Sequence, residues 1–155
     1  MTEQAFRLRK NLDRPIAPPE WPPGFSCRTL LPDDASRVHR LLQIAYVQGR
    51  GVPDFEDWWE KFSGDSEFDA SLCSLVFGEG RLAGVALCWT SAFLKDLAVH
   101  PDTRRLGIGD KLLRLVFRTF QARGAHAVDL KVETGNAGAI ALYERAGMFR
   151  VSWDG

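Results

Sequence analysis

No uninterrupted apolar run in these 155 residues is long enough to cross a membrane, and the N-terminus has no apolar stretch of signal-peptide size. The expected address is cytoplasmic, with no membrane partner. Net charge is equally scarce, because 20 Lys and Arg offset 20 Asp and Glu. Without a basic excess there is no electrostatic footprint for nucleic acid, so a small ligand is the expected partner. Cysteines number only three, and Cys27, Cys73 and Cys88 are widely spaced, each among apolar neighbours. That pattern argues for free thiols in a reducing compartment over disulfides or a metal cluster. His39, His100 and His126 are scattered in the same way, and no metal site is expected. Internal repeats are lacking too.

What the chain does have is enough apolar residues, 45%, for the core of one soluble domain. Residues 1–24 stand apart, since Pro15, Pro18, Pro19, Pro22 and Pro23 lack backbone donors and resist helix. They read as a proline-rich arm, with a short helix expected over 6–10, leaving 25–155 as the domain. Hydrophobic spacing predicts a strand over 25–31, a helix starting at 32–34 and running to 46, and a short helix over 55–62. Strands over 72–77 and 82–89 flank Gly78-Glu79-Gly80, which favours a hairpin. A central strand over 93–99, a helix over 107–123 closing at Gly124, a strand over 127–132, a helix over 137–146 and a last strand over 148–153 complete the chain. The order implies a mixed α/β fold, a central sheet flanked by helices, with 93–99, the helix after it and 127–132 forming a right-handed parallel crossover.

The most informative stretch is Leu94 to Leu113, where an apolar strand runs into a tight loop carrying Arg104, Gly107 and Gly109 and directly into a helix. A helix start offers unpaired N–H groups and the positive end of a dipole, and glycines let a phosphate approach them. The spacing Arg-x-x-Gly-x-Gly is neither the dinucleotide-fold pattern nor a P-loop, and the loop follows the fourth strand where a dinucleotide fold would use the first.

The segment Leu97-Ala98-Val99-x-Pro101-x-x-Arg104-x-x-Gly107-x-Gly109, followed by Asn136 and by Ala141-Leu142-Tyr143-Glu144-Arg145-Ala146-Gly147-Met148-Phe149, resembles the two signature segments of the GNAT superfamily of acyl-CoA-dependent N-acyltransferases. The resemblance covers about a third of the chain, roughly 92–149. It implies a GNAT-like fold and transfer of an acyl group, acetyl the expected one, from acetyl-CoA to an amine of a small molecule or peptide. A non-catalytic acyl-CoA-binding module is the alternative. The resemblance further implies that the backbones of Leu97, Ala98 and Val99 meet the pantetheine arm, with the Val99 N–H facing the thioester oxygen. Backbone donors of Arg104, Arg105, Leu106, Gly107, Ile108, Gly109 and Asp110 would hold the pyrophosphate. Arg105 stands where relatives commonly have glycine, its side chain either in solvent or on a CoA phosphate.

Tyr143 is the implied general acid, since the family's tyrosine at this position faces the CoA sulfur, and a phenol has the chemistry to serve a thiol leaving group. Asn136 is either a plain helix cap or a cap that also reaches pantetheine. Some relatives use a glutamate as base where this chain has Lys131, which leaves Asp96 and Glu133. Asp96, opposite Leu97 and Val99 by strand alternation, could act through a water or be structural; Glu133 reads as a surface carboxylate. No cysteine or serine occupies a nucleophile setting, so direct attack is expected. In 49–60, Asp54, Glu56, Asp57 and Glu60 interleave with Phe55, Trp58 and Trp59. They suit either a pocket for a cationic amine or an amphipathic helix with a buried aromatic face. Trp89 reads as core.

GNAT domains usually place two strands after the tyrosine helix, and here only one remains before the chain ends. With its final strand missing, the last strand, left beside the strand over 127–132 without its usual neighbour, would expose unpaired backbone groups and Trp153, and a homodimer contact at this C-terminal edge is the expectation.

Overall fold

The computed structural model describes residues 4–46 and 51–153. In chain order its elements are β1 (Ala5–Asn11), β2 (Phe25–Thr29), α1 (Ala35–Ala45), α2 (Phe55–Ser63), β3 (Ser74–Gly78), β4 (Arg81–Trp89), β5 (Phe93–Val99), α3 (Ile108–Ala122), β6 (Ala127–Glu133), α4 (Ala137–Arg145) and β7 (Phe149–Val151). The strands form one seven-stranded sheet in the order β2-β3-β4-β5-β6-β1-β7. Only β5 and β6 run parallel, joined by α3 as expected.

The continuous apolar run of β4, buried from Leu82 to Cys88, places it between two cores. On one face Leu112, Val116 and Phe120 of α3 pack with Ala86 and Cys88 of β4 and Leu130 of β6. On the other, Val38, Leu41 and Leu42 of α1 and Trp58 and Phe62 of α2 pack with Val85 and Leu87 of β4. A Cβ on Gly84 would lie 2.8 Å from the Ile108 Cγ2 and 3.0 Å from the Leu112 Cδ1, so the missing side chain is what lets α3 sit this low on β4.

Two expectations are corrected at the N-terminus. Residues 6–10 are strand, not helix, and residues 5–11 are no detached arm, because β1 pairs along its whole length with β6, from Ala5 opposite Glu133 to Asn11 opposite Ala127. The period is two: Leu8 is buried against the α3 core while Arg7 and Arg9 share the opposite face. There both guanidiniums reach Asp129, each Nε donating at 2.8 Å. Burial acts to raise the Asp129 carboxyl, but the bonds from Arg9 and Arg7 outweigh it and hold it below the usual range. The proline stretch that follows has few donors, so it supplies acceptors. The Gln121 side chain donates to the Arg14 carbonyl at 2.7 Å and Arg118 donates to the Ile16 carbonyl, while Ile16 and Trp21 rest on the core.

The same strand overturns the expectation at the C-terminus. β7 pairs with β1 and not with β6, from Arg7 opposite Val151 to Arg9 opposite Phe149. β1 takes the place beside β6, so β7 lies one strand further out as the edge of the sheet, with no strand on its outer side among the described residues. Trp153 remains 44% exposed, with the Lys131 ammonium 6.0 Å from its ring centre.

Asp129→Ala should remove the carboxylate that Arg7 and Arg9 share and lower unfolding stability by about 2–3 kcal/mol in urea titrations. The folded-state carboxyl is depressed, so its contribution is present above the ordinary value of 3.8 and is lost as pH falls through that region. The variant should therefore show a flatter acid limb than the parent, and an unchanged acid limb would refute this role.

Candidate active site

The site begins where two strands part. β5 runs to Val99 and β6 to Glu133, yet they pair only at Phe93 with Asp129 and Leu94 with Leu130. Beyond Leu94 the outer edge of β5 has no strand partner among the described residues. Which groups face that gap follows from the other edge. The His100 N–H donates to the Ala83 carbonyl at 2.7 Å, so by antiparallel alternation Ala98 also turns its backbone toward β4, whereas Leu97 and Val99 turn theirs into the gap. Ala98 therefore has a committed backbone, and its side chain is core.

The loop after β5 is pinned at its start. The Thr103 hydroxyl donates to the Ala83 carbonyl at 3.2 Å, and the His100 ring nitrogen accepts the Asp102 N–H at 3.1 Å. Arg105 and Gly107 both take left-handed backbone, φ +75° and +76°. At Arg105 this is a conformation glycine adopts freely and a side chain resists, at a cost of about 1 kcal/mol. The first helical bond of α3 is donated by the Lys111 N–H to the Gly107 carbonyl. The N–H groups of residues 105–110 have no hydrogen-bond partner among the described residues, and no side chain caps the helix. The side chains of Arg104, Arg105, Leu106 and Asp110 are exposed, while Ile108 is buried and anchors the helix start to the core. An unobstructed row of donors at the positive end of a fifteen-residue helix suits a pyrophosphate.

Across the gap, Asn136 caps α4 by accepting the Ala139 N–H at 3.2 Å. Tyr143 is the buried residue of that helix. Burial first, and the negative charge of Asp96 second, push its phenol up to about 12. Asp96 lies on the α1 face, opposite Leu97 and Val99 as alternation predicts. Its Oδ1 accepts the Tyr46 hydroxyl at 2.6 Å and its Oδ2 the Lys95 ammonium at 2.7 Å. Burial, followed by the charge and hydrogen bond of Asp96, pushes Tyr46 up further than Tyr143.

A register shift explains why Lys95 and Asp96, adjacent in sequence, meet on one side of the sheet. Leu87 opposes Asp96 and Cys88 opposes Leu94, which leaves Lys95 as the extra residue of a bulge. The Lys95 ammonium sits 5.4 Å from the Phe62 ring centre and 5.9 Å from that of Trp89. Beside this pair opens a cavity of about 290 Å³, whose charged lining is Lys61, Asp65, Lys95 and Asp96 and whose aromatic wall is Trp58, Phe62 and Trp89, with Tyr46 at its inner side.

Of the two readings of the α1–α2 region, the amphipathic helix holds and the acidic pocket does not. Asp54, Glu56, Asp57 and Glu60 are exposed and do not line the cavity, because the helix turns its aromatic face inward and its carboxylates outward. Trp58 and Phe62 are both core and wall, and Trp89 is wall as well. Gly49 and Arg50, also part of the expected acceptor segment, lie outside the described residues. Glu133 and Lys131 are exposed on β6. Tyr46, Lys61, Asp65 and Lys95 were missed. A bulge leaves no mark in a hydrophobic pattern, and the Tyr46–Asp96 bond spans fifty residues.

A sheet whose parallel pair splays beside a donor-rich helix start defines an acyltransferase-type fold, and the comparisons agree. The acetyltransferase (GNAT) family matches residues 35–148, and the chain belongs to that family. It is 28% identical over 92% of its length to a mycothiol acetyltransferase of Streptomyces coelicolor, and 33% identical over 58% of its length to the ribosomal protein bS18 alanine N-acetyltransferase of Escherichia coli. It spans 50% and 63% of those two relatives. Among solved structures, a GCN5-related N-acetyltransferase from Sphaerobacter thermophilus superposes with TM-score 0.82 at 31% identity, covering 96% of this chain and 48% of that one.

The chain has only two tyrosines, both at this site, so they can be titrated directly. Folded protein should show no tyrosinate absorbance near pH 10.5. A folded-state phenol raised above its ordinary value of 10 contributes stability that is complete below 10 and is lost as pH climbs toward 12. Ionisation should therefore accompany alkaline unfolding. A titration of either tyrosine near pH 10 in the folded state would contradict the buried cluster.

Proposed function

We propose that this chain transfers an acyl group, acetyl the expected one, from acetyl-CoA to an amine of a small molecule or peptide by direct attack. The observation that carries this reading is the row of unpaired N–H groups over 105–110, placed at the start of α3 beside the unpaired edge of β5. Those donors would hold the pyrophosphate, with Arg104 and Arg105 beside it. The outward backbones of Leu97 and Val99 would hold the pantetheine arm as a strand would, helped by Asn136. When bound, acetyl-CoA supplies an acyl group activated as a thioester.

The remaining chemistry falls to side chains and backbone of the chain. The Val99 N–H points into the gap, where it can stabilise a developing oxyanion. Tyr143 stays protonated throughout the physiological range and is always a donor. With its phenol near 12 against a thiol near 8.5, full transfer to a thiolate is uphill by about 4–5 kcal/mol. Its hydrogen bond to the departing sulfur is the larger contribution, and the proton follows as the amine loses its own. Asp96 faces the cavity and is the carboxylate placed to take that proton through a water. Cysteine catalysis is disfavoured, since burial pushes Cys27 and Cys73 to about 11 and Cys88 well above its ordinary value. The three free thiols support the cytoplasm as the site of action. The relatives' named substrates, mycothiol and a ribosomal protein, span small molecule and protein, which supports an amine acceptor without choosing its size.

Gly107→Glu should abolish CoA binding measured by calorimetry while the melting profile stays cooperative, because a carboxylate would enter the anion cradle. Unchanged affinity in a folded variant would remove the phosphate-loop assignment. Tyr143→Phe should keep CoA affinity within a few-fold and lower turnover by about ten- to a thousandfold. Full turnover would reduce Tyr143 to packing, and a parent protein that binds CoA but releases no thiol with any amine would favour the binding-module alternative.

A further inference from the structure

The charges of the cavity constrain what can enter it. A polycationic amine would meet two ammonium groups, Lys61 and Lys95, and the exposed carboxylates of α2 point elsewhere. The two cations are not equivalent. Lys95 is compensated by Asp96 at 2.7 Å and rests over the Phe62 and Trp89 rings, whereas Lys61 has no ion pair among the described residues. The two anions differ as well. The Asp96 side chain is 12% exposed and is electrostatically coupled to Tyr143, while Asp65 is exposed and already accepts the Glu67 N–H at 2.8 Å. The same cavity is walled by Trp58, Phe62 and Trp89. The lining thus combines an exposed cation, a largely buried anion and an apolar wall, in a volume at the small end of ligand sites.

We propose that the acceptor is a small zwitterion, an amino acid with an apolar body, whose carboxylate is held by Lys61 while its amine enters toward Asp96. This rests on the acyl-transfer reading for the direction in which the amine points, and on the cavity alone for the charge preference. Lys61 is then the specificity-determining residue, because an amide or a decarboxylated analogue leaves it without a partner and gains nothing in exchange.

The test is calorimetric titration of the CoA-loaded protein with L-leucine, L-phenylalanine and 6-aminohexanoate, with the primary amide of each, and with spermidine. The three acids differ in the distance between amine and carboxylate and so report which spacing the cavity takes. At least one acid should bind about tenfold or more tightly than its amide, and Lys61→Gln, an exposed position that should leave the melting midpoint unchanged, should erase that difference by weakening the acid alone. The proposal is overturned if none of the acids binds, if an amide or spermidine binds as tightly as the acids, or if the preference survives Lys61→Gln. Thiol release with the same compounds reports separately on the chemistry. Acid preference in binding without release would overturn the acceptor role and count against the acyl-transfer reading, while the charge preference of the cavity would stand.

Discussion

The divergence of β5 from β6 is the constraint on which the site depends. The two strands are held together at Phe93 and Leu94 and then separate, so a parallel pair that would ordinarily close its ladder leaves the outward backbones of Leu97 and Val99 without a partner among the described residues. Buried backbone groups without partners are costly, and this edge tolerates them only because it borders an open gap. The helices around the gap are placed by the same parting. α3 opens at its base with six N–H groups that have no partner among the described residues, and α4 brings Tyr143 in from the β6 side. Closing the ladder by continued pairing would remove the strand edge and the room for a ligand together.

A second local irregularity aims the acceptor side. The bulge at Lys95 turns two consecutive charged residues toward α1 and α2, where strict alternation would send one of them into the α3 core. The consequence is a compact set of charges in which Asp96 is held by Tyr46 and Lys95 at once. Such a carboxylate is fixed in position by two partners. The aromatic rings of α2 are shared between core and cavity, since Trp58 and Phe62 are core on one side and cavity wall on the other.

The sheet is completed by an unexpected segment. β1 lies between β6 and β7, and the ion cluster of Arg7, Arg9 and Asp129 fixes it there. A seven-residue strand with three basic residues gives a weak hydrophobic signal, and only the alternation of Phe6 and Leu8 with the two arginines hints at a sheet. The prolines that follow suggested a separate arm, although the carbonyls of Arg14 and Ile16 among them are held by Gln121 and Arg118. Pairing across 122 residues of sequence, as between Arg7 and Asp129, is a tertiary choice that no local pattern contains.

The chain's local chemistry determined a good deal. Leu97 to Asp110 carries strand, glycine-bearing loop and helix start in unbroken order, and the helical spacing of α1, α2 and α3 named their buried faces, because both signals are written within a few residues. Asn136 as a helix cap, and the helix that carries Tyr143, were legible in the second signature segment. What only the tertiary structure decided are the matters that require distant residues to meet. These are which strand fills the place beside β6, where β5 and β6 part, which carboxylates face the cavity, and the joining of Tyr46 to Asp96. The reason is physical. Hydrophobic periodicity reports which face of an element is buried, whereas register, bulges and charge partners depend on competition among all elements for the same hydrogen bonds and the same space.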